Sequence, residues 1–401
     1  MKIKIKIFIV LVSILSMGIV FVRMYDFKDK NDIAVFIDEE KKDEIPLKDT
    51  YVFDKAICDD EVSVSWNYKT WGLNINNLKK KVKCNLYFIS DPIVDKIKTS
   101  LDTSGKCPSV NADGSVNVTG VEKENSLVCS APDNYGTSYY YRGNVSNNYV
   151  YFANFYWRIV RINGDGSIRI IYDGKNAYQN GEVSDDRIIG TSAFNEKSDD
   201  NAYVGYMYGT PGSATYEETH ANINDSTIKK YIDSWYEENL KNTQYEQYIV
   251  DNIFFEDKSI SKTKPDIYSN KGFGQEKTDY RWVHGPWDTE YNDNNNMTLK
   301  SSNALPLKYN IGLLNTDEVL LTGVYNSNNS KDYLSIEKKY WLLGAISFGI
   351  SGIARVRYLT NGGYVASSEV SEERGVKPVI NLKAGSLKMG DGSSTNPYRI
   401  S

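Results

Sequence analysis

Histidine is nearly missing from this chain: His220 and His284 are the only two among 401 residues. A serine–histidine–carboxylate triad would have to use one of them. Neither surrounding stretch, EETHAN or WVHGPW, holds a nucleophile motif, so both read as structural or exposed. Cysteine is scarce and stops early. Cys58, Cys84, Cys107 and Cys129 are all there are. Zinc sites usually present thiolates in pairs roughly two to four residues apart, and these spacings are far longer, so no metal is expected. P-loop and dinucleotide fingerprints are absent, and no cofactor is expected either. The carboxylate pairs Asp199-Asp200 and Glu217-Glu218 read as ordinary acidic surface, with nothing to raise them to a glycosidase pair. Lys and Arg number 47 against 52 Asp and Glu, and the resulting net charge of −5 argues against nucleic acid as a partner.

Tyrosine, by contrast, occurs 31 times. It gives rigid amphipathic contact area and is favoured at recognition surfaces. An AT-rich coding bias would produce the same excess.

Lys2, Lys4 and Lys6 precede an apolar run from Ile7 to Val22. With Ile3 and Ile5 it approaches the ~20 residues that span a bilayer. Val22-Arg23-Met24-Tyr25 does not fit the small residues of a cleavage site. Residues 1–24 are therefore expected to be an uncleaved signal anchor, a transmembrane helix with its lysines inside and the bulk of the chain outside. Secretion after cleavage is the alternative. Residues 25–47 read as a charged linker. Residues 48–90 read as a small β-rich unit, with Val62, Val64 and Trp66 alternating. Residues 91–134 read as a disulfide-stapled connector containing a short helix with Ile93, Ile97 and Leu101 on one stripe. An even cysteine count in an exported chain reads as disulfides, and four cysteines allow three connectivities. Cys58–Cys84 with Cys107–Cys129 is preferred, because each bridge then closes one local unit.

From 135 to 401 the chain reads as one domain. Its densest signal is a hairpin: Phe155 to Ile162 runs out, Asn163-Gly164-Asp165-Gly166 turns, and Ser167 to Tyr172 returns. Ile168, Ile170 and Tyr172 share one face by the period of two. The turn lacks the alternating oxygen ligands and final acid of a calcium loop. Ser226 to Leu240 has helical spacing, and Ile228, Tyr231, Ile232 and Trp235 are expected in the core. A second, shorter helix or helix–strand transition is expected over Tyr245 to Phe255. Strands follow over 340–348, 353–358 and 364–368, and Gly375 to Leu382 closes the domain with Pro378 on a terminal or edge strand. Between 258 and 306 lies a long polar passage. Long irregular segments inside a compact domain are usually functional or disordered. Tyr280, Trp282, Trp287 and Tyr291 are the candidate ligand-binding residues there; the competing reading is that they pin the loop to the core.

YYYRGNV (139–145), FYWRIVRINGDGSIRIIYDG (155–174), AYVGYMYGTPGSATYEETHANINDSTIKKYIDSWYEENL (202–240), IGLLNTDEV (311–319) and RGVKPVINLKAGSLKMGDGSSTNPYRI (374–400) carry a resemblance. Together they resemble an uncharacterised bacterial surface-protein family whose shared domain is C-type-lectin-like or formylglycine-generating-enzyme-like. The resemblance implies an α+β fold, an antiparallel sheet with one or two short helices, over roughly 135–401. It carries no activity. Formylglycine-generating enzymes use paired cysteines, and none follows Cys129. Calcium-dependent lectins use a Glu-Pro-Asn or Gln-Pro-Asp triplet with a later Trp-Asn-Asp, and neither is present. Trp341-Leu342-Leu343-Gly344-Ala345 stands where relatives carry a polar turn, and Phe254-Phe255 where they often carry a cysteine. The expected function is membrane-anchored extracellular binding or adhesion, with a surface glycan or protein as partner. A cell-envelope enzyme using unidentified carboxylates, or a structural envelope protein, is the alternative.

Overall fold

This computed structural model describes residues 33–46, 51–59, 63–67, 70–76, 83–118, 121, 125–213, 215–251, 254–256, 258, 280–281, 296–300, 304–324, 331–348 and 352–400. The expected anchor lies outside them. No helix among the described residues is long and apolar enough to cross a membrane. The protein is α+β, mostly sheet with few helices, and two disulfides staple it. Its contacts divide it into two compact units, Met1–Pro92 and Ile93–Ser401.

The first unit is a four-stranded sheet in the order Glu40–Lys42, Ile33–Ile37, Cys84–Ile89, Val52–Cys58, with a hairpin of Ser63–Asn67 and Gly72–Asn76. The described part of the expected linker, residues 33–46, is thus part of a folded layer. Ile33–Ile37 pairs parallel with Cys84–Ile89, and Val35 is buried. The charges that suggested a linker cluster in Glu40–Lys42, an edge strand with all three residues exposed, where charge blunts sheet-to-sheet association. Cys84, Leu86 and Phe88 alternate inward and join Val35 and Trp66 in a small core. Cys58 and Cys84 stand opposite each other in register and are bonded.

The second unit begins at Ile93, within the helix Pro92–Thr99, which buries Ile93, Val94 and Ile97. The expected separate connector belongs to this unit. Leu127–Pro132 pairs along its whole length with Thr137–Arg142, and Cys129 bonds Cys107. An eight-stranded sheet runs Ile311–Gly312, Val379–Leu382, Ile168–Gly174, Phe155–Ile162, Thr137–Arg142, Leu127–Pro132; Tyr149–Phe152 pairs both Phe155–Ile162 and Tyr398–Arg399. A six-stranded sheet runs Thr191–Ala193, Glu373–Gly375, Tyr340–Phe348, Ala354–Leu359, Val365–Glu369, with Tyr280–Arg281 added to Tyr340–Phe348. One continuous core serves both sheets, with Trp157 and Trp341 wholly buried.

The central hairpin turns as expected: Ser167 carbonyl accepts from Asn163 N–H at 2.8 Å, and Asp165 caps Ser167 N–H at 2.9 Å. Pro378 does not sit on an edge. It ends just before Val379–Leu382, a strand with a neighbour on each side, and its carbonyl still accepts from Tyr172 N–H at 2.9 Å. Among the described residues of 245–255 the helical part is a 3-10 turn at Glu246–Tyr248, followed by isolated bridges from Ile249 to Leu382 and from Phe255 to Ala304.

The hairpin's second face departs from the sequence expectation. Every residue of Ile168–Gly174 is buried, Arg169 and Asp173 included. Buried charges persist only when paired. Asp173 meets Arg187 at 2.8 Å, Lys377 at 2.9 Å and Arg158 at 3.7 Å. Glu318 meets Arg169 at 2.6 Å and Arg161 at 3.2 Å, and Asp133 meets Arg161 at 3.2 Å. Burial alone would raise the Asp173 carboxyl; the three cations overcome that and hold it below the usual range.

Candidate functional site

The helix Thr227–Asn239 positions one wall of an open cleft. Ser226 caps it, its hydroxyl accepting from Lys229 N–H at 3.2 Å. Ile228, Ile232, Tyr236 and Leu240 pack into the core. Lys230, Tyr231, Ser234, Trp235 and Glu238 recur at helical spacing on an adjoining face and line a cleft of about 620 Å³. The expected apolar stripe therefore splits. Ile228 and Ile232 are core, while Tyr231 is 37% exposed and Trp235 half-buried. Tyrosine and tryptophan present an apolar body and a polar tip, so they suit the boundary between core and water.

The passage from Ile189 to Tyr208 forms the opposite wall, and Asn195 holds it to the helix. Its carboxamide donates to Tyr203 carbonyl at 2.7 Å and to Gly205 carbonyl at 3.2 Å, and accepts from Thr227 N–H at 3.3 Å. Tyr203 and Tyr208 meet edge to face at 5.4 Å. Trp235 is braced from behind by Phe155, Trp157 and Tyr172, with ring centroids 5.5, 6.2 and 5.8 Å away. Tyr231 hydroxyl donates to Ile189 carbonyl at 3.3 Å, across the cleft. Burial, then the neighbouring carboxylates Glu238 and Glu373, raises its phenol above the ordinary range. Burial raises Tyr203 and Tyr208 likewise, so all three remain neutral hydrogen-bonding groups at physiological pH.

A second hollow of about 560 Å³ borders the first, with Lys197 and Tyr203 lining both, and is lined further by Ser198, Asp199, Asp200, Pro211 and Gly212. Asp200 builds this end: it accepts from Ala202 N–H at 2.9 Å and Gly212 N–H at 2.7 Å. The first cleft offers tyrosine and tryptophan faces beside Lys197, Lys230, Glu196, Asp225 and Glu238. Such a surface can stack on a ligand face and hydrogen-bond its edges.

Of the residues expected to bind ligand, Tyr280 is placed by its backbone, opposite Phe348 on Tyr340–Phe348. Trp282, Trp287, Tyr291 and His284 lie outside the described residues. His220 is buried against Tyr216, 4.5 Å between rings; burial, the largest cause, pushes it down to about 2, so it stays neutral. Among the described residues no group of three or more His, Cys, Asp or Glu is placed to hold a metal. In the sequence Ile228, Tyr231, Ile232 and Trp235 form one ordinary i, i+3, i+4, i+7 stripe, so nothing in the pattern separated the two residues that line the groove from the two in the core.

No family model, curated protein or solved structure matches the chain.

Proposed function

We propose that this is a membrane-anchored, outward-facing binding protein whose second unit, of the C-type-lectin-like kind, takes an extended polar ligand, a surface glycan first, in the groove between the helix Thr227–Asn239 and the Ile189–Tyr208 passage. The observation that carries this reading is the groove's composition: Tyr203, Tyr208, Tyr231 and Trp235 interleaved with amine, carboxylate and carboxamide groups along one open channel. Sugars offer flat C–H faces and hydroxyl edges, and this mixture serves both. The anchor rests on the charged and apolar pattern of residues 1–24, and the exported location gains support from four cysteines all in disulfides. The lectin-like organisation rests on the sequence resemblance. It is supported by the pairing of Tyr398–Arg399, the last strand, with Tyr149–Phe152 among the first.

The test is a glycan array probed with the full chain in detergent, with and without a calcium chelator. Cutting at residue 46 would remove Ile33–Ile37 from its sheet. Binding lost on Tyr231→Ala or Tyr203→Ala supports the groove. Binding lost only on Trp282→Ala or Trp287→Ala would move the site to the 280–291 segment, and a blank array on folded protein would remove glycans.

A further inference from the structure

Three lysines are buried among the described residues: Lys229, Lys258 and Lys377. Lys229 and Lys377 reach carboxylates, at 2.7 Å for Asp233 and 2.9 Å for Asp173. Lys258 also reaches an amide side chain. Its ammonium nitrogen lies 2.5 Å from the side-chain oxygen of Asn222, and it also donates to Met207 carbonyl at 2.7 Å. A buried carboxylate completes the group, Glu256 Oε2 at 3.9 Å from Lys258 Nζ, with side-chain exposures of 6% for the lysine and 0% for the glutamate. The glutamate is held in place, because Oε2 accepts from Tyr206 N–H at 2.8 Å. The lysine is held from its own backbone, where Tyr216 hydroxyl donates to its carbonyl.

We propose that Lys258 and Asn222 form an intramolecular isopeptide cross-link, with Glu256 as the proton carrier. A carbonyl bond of about 1.23 Å puts Asn222 Cγ no more than about 3.7 Å from Lys258 Nζ, close to the ~3–3.5 Å of a near-attack arrangement. Glu256, 3.9 Å from the ammonium, is the carboxylate that takes its proton. The neutral amine then attacks Cγ, forming the new C–N bond. The carboxyl of Glu256 returns the proton to the carboxamide nitrogen as the old C–N bond breaks. The nitrogen departs as ammonium, the ammonia taking up the second proton that the attacking nitrogen gives up. Charge and atoms balance with no oxidant or co-reactant. The product is an amide bridge between residues 36 apart, tying the turn after His220 to the chain at 258. It would constrain the far wall of the Tyr208 region in the way a disulfide constrains a loop, in a unit whose cysteines all lie before residue 130.

Peptide mapping by mass spectrometry on the purified, folded full chain decides this. The expected result is a branched peptide joining the segment around Asn222 to the segment around Lys258, lighter by one ammonia than the two parts. Glu256→Gln and Lys258→Met should give linear peptides at their sequence masses, and so should wild-type chain held in denaturant from synthesis onward. Linear peptides from folded wild-type protein overturn the proposal, as does Asn222 recovered as aspartate with Lys258 free. The wild-type map is sufficient by itself should either variant fail to fold.

Discussion

A methyl group added to Gly190 would stand 2.1 Å from the Tyr231 hydroxyl oxygen. The absence of a side chain at 190 is what lets Tyr231 reach across to Ile189 carbonyl. Gly190 also has φ +146°, where other residues are strained. Gly190→Ala is expected to destabilise by about 1–3 kcal/mol and to displace Tyr231. Tyr231→Ala should cost under ~1 kcal/mol, as usual for a substitution on an exposed side chain. If the groove binds ligand, both should weaken binding while Tyr231→Ala leaves the urea midpoint nearly unchanged. Ligand affinity unmoved by Tyr231→Ala would detach the tyrosine from recognition.

Asp173 holds three cations, and it is their shared anion. Asp173→Asn strands Arg158, Arg187 and Lys377 without it, and removing one partner of a buried pair costs about 3–5 kcal/mol. Lys377→Met should cost less, because Asp173 keeps both guanidiniums. Urea denaturation measures both; an Asp173→Asn protein within ~1 kcal/mol of wild type would contradict the pairing.

Asp332 is wholly buried, and burial raises its carboxyl to about 8, against the lowering effect of Leu334 N–H, which it accepts at 2.8 Å. The unfolded carboxyl titrates near about 4. Between those values the folded state holds the proton that the unfolded state has lost, so this group's effect is to reduce stability as pH rises, by at most about 1.4 kcal/mol per pH unit. Asp332→Asn should therefore remove that slope and be relatively more stable than wild type at pH 8 than at pH 5. Thermal midpoints across that range check the sign.

His220 runs the other way. Its folded value of about 2 lies below the unfolded ~6.5. Its share of stability is complete above pH 6.5 and is lost as pH falls, because the unfolded chain takes up a proton that the folded chain refuses. His220→Gln is expected to flatten the acid limb between pH 6 and pH 4 relative to wild type. An unchanged limb would mean that the ring is hydrated in solution.

Cys58 and Cys84 close a loop of 26 residues in a unit with a small core. Loop-closure entropy assigns about 3–4 kcal/mol to such a bridge. The double replacement by alanine should speed amide hydrogen exchange over Cys84–Ile89 and leave Phe155–Ile162 protected. Equal acceleration in both strands would show that the bridge stabilises more than its own unit.

Local pattern carried much of this protein. Strand alternation around 155–172, the turn at 163–166 and the capped helix after Ser226 could be read directly, because each depends on neighbours in the chain and on a fixed period. The two local disulfides were a preference among three connectivities, and the pairing of Cys58 with Cys84 follows from strands placed in register. Four features were decided only by tertiary structure. Ile33–Ile37 belongs to a sheet because a strand 51 residues later, beginning at Cys84, offers it a parallel edge. Arg158, Arg161 and Arg169 are buried because acids from distant segments meet them; composition alone would have put them in water. Tyr231 faces the cleft, and Trp235 lines it while its other face packs on the core, because the Ile189–Tyr208 passage stops short of covering them. Lys258, with Glu256 two residues before it, meets Asn222 through chain folding across 36 residues. Periodicity reports which side of an element is apolar, while burial, charge pairing and clefts depend on what the rest of the chain brings to that side.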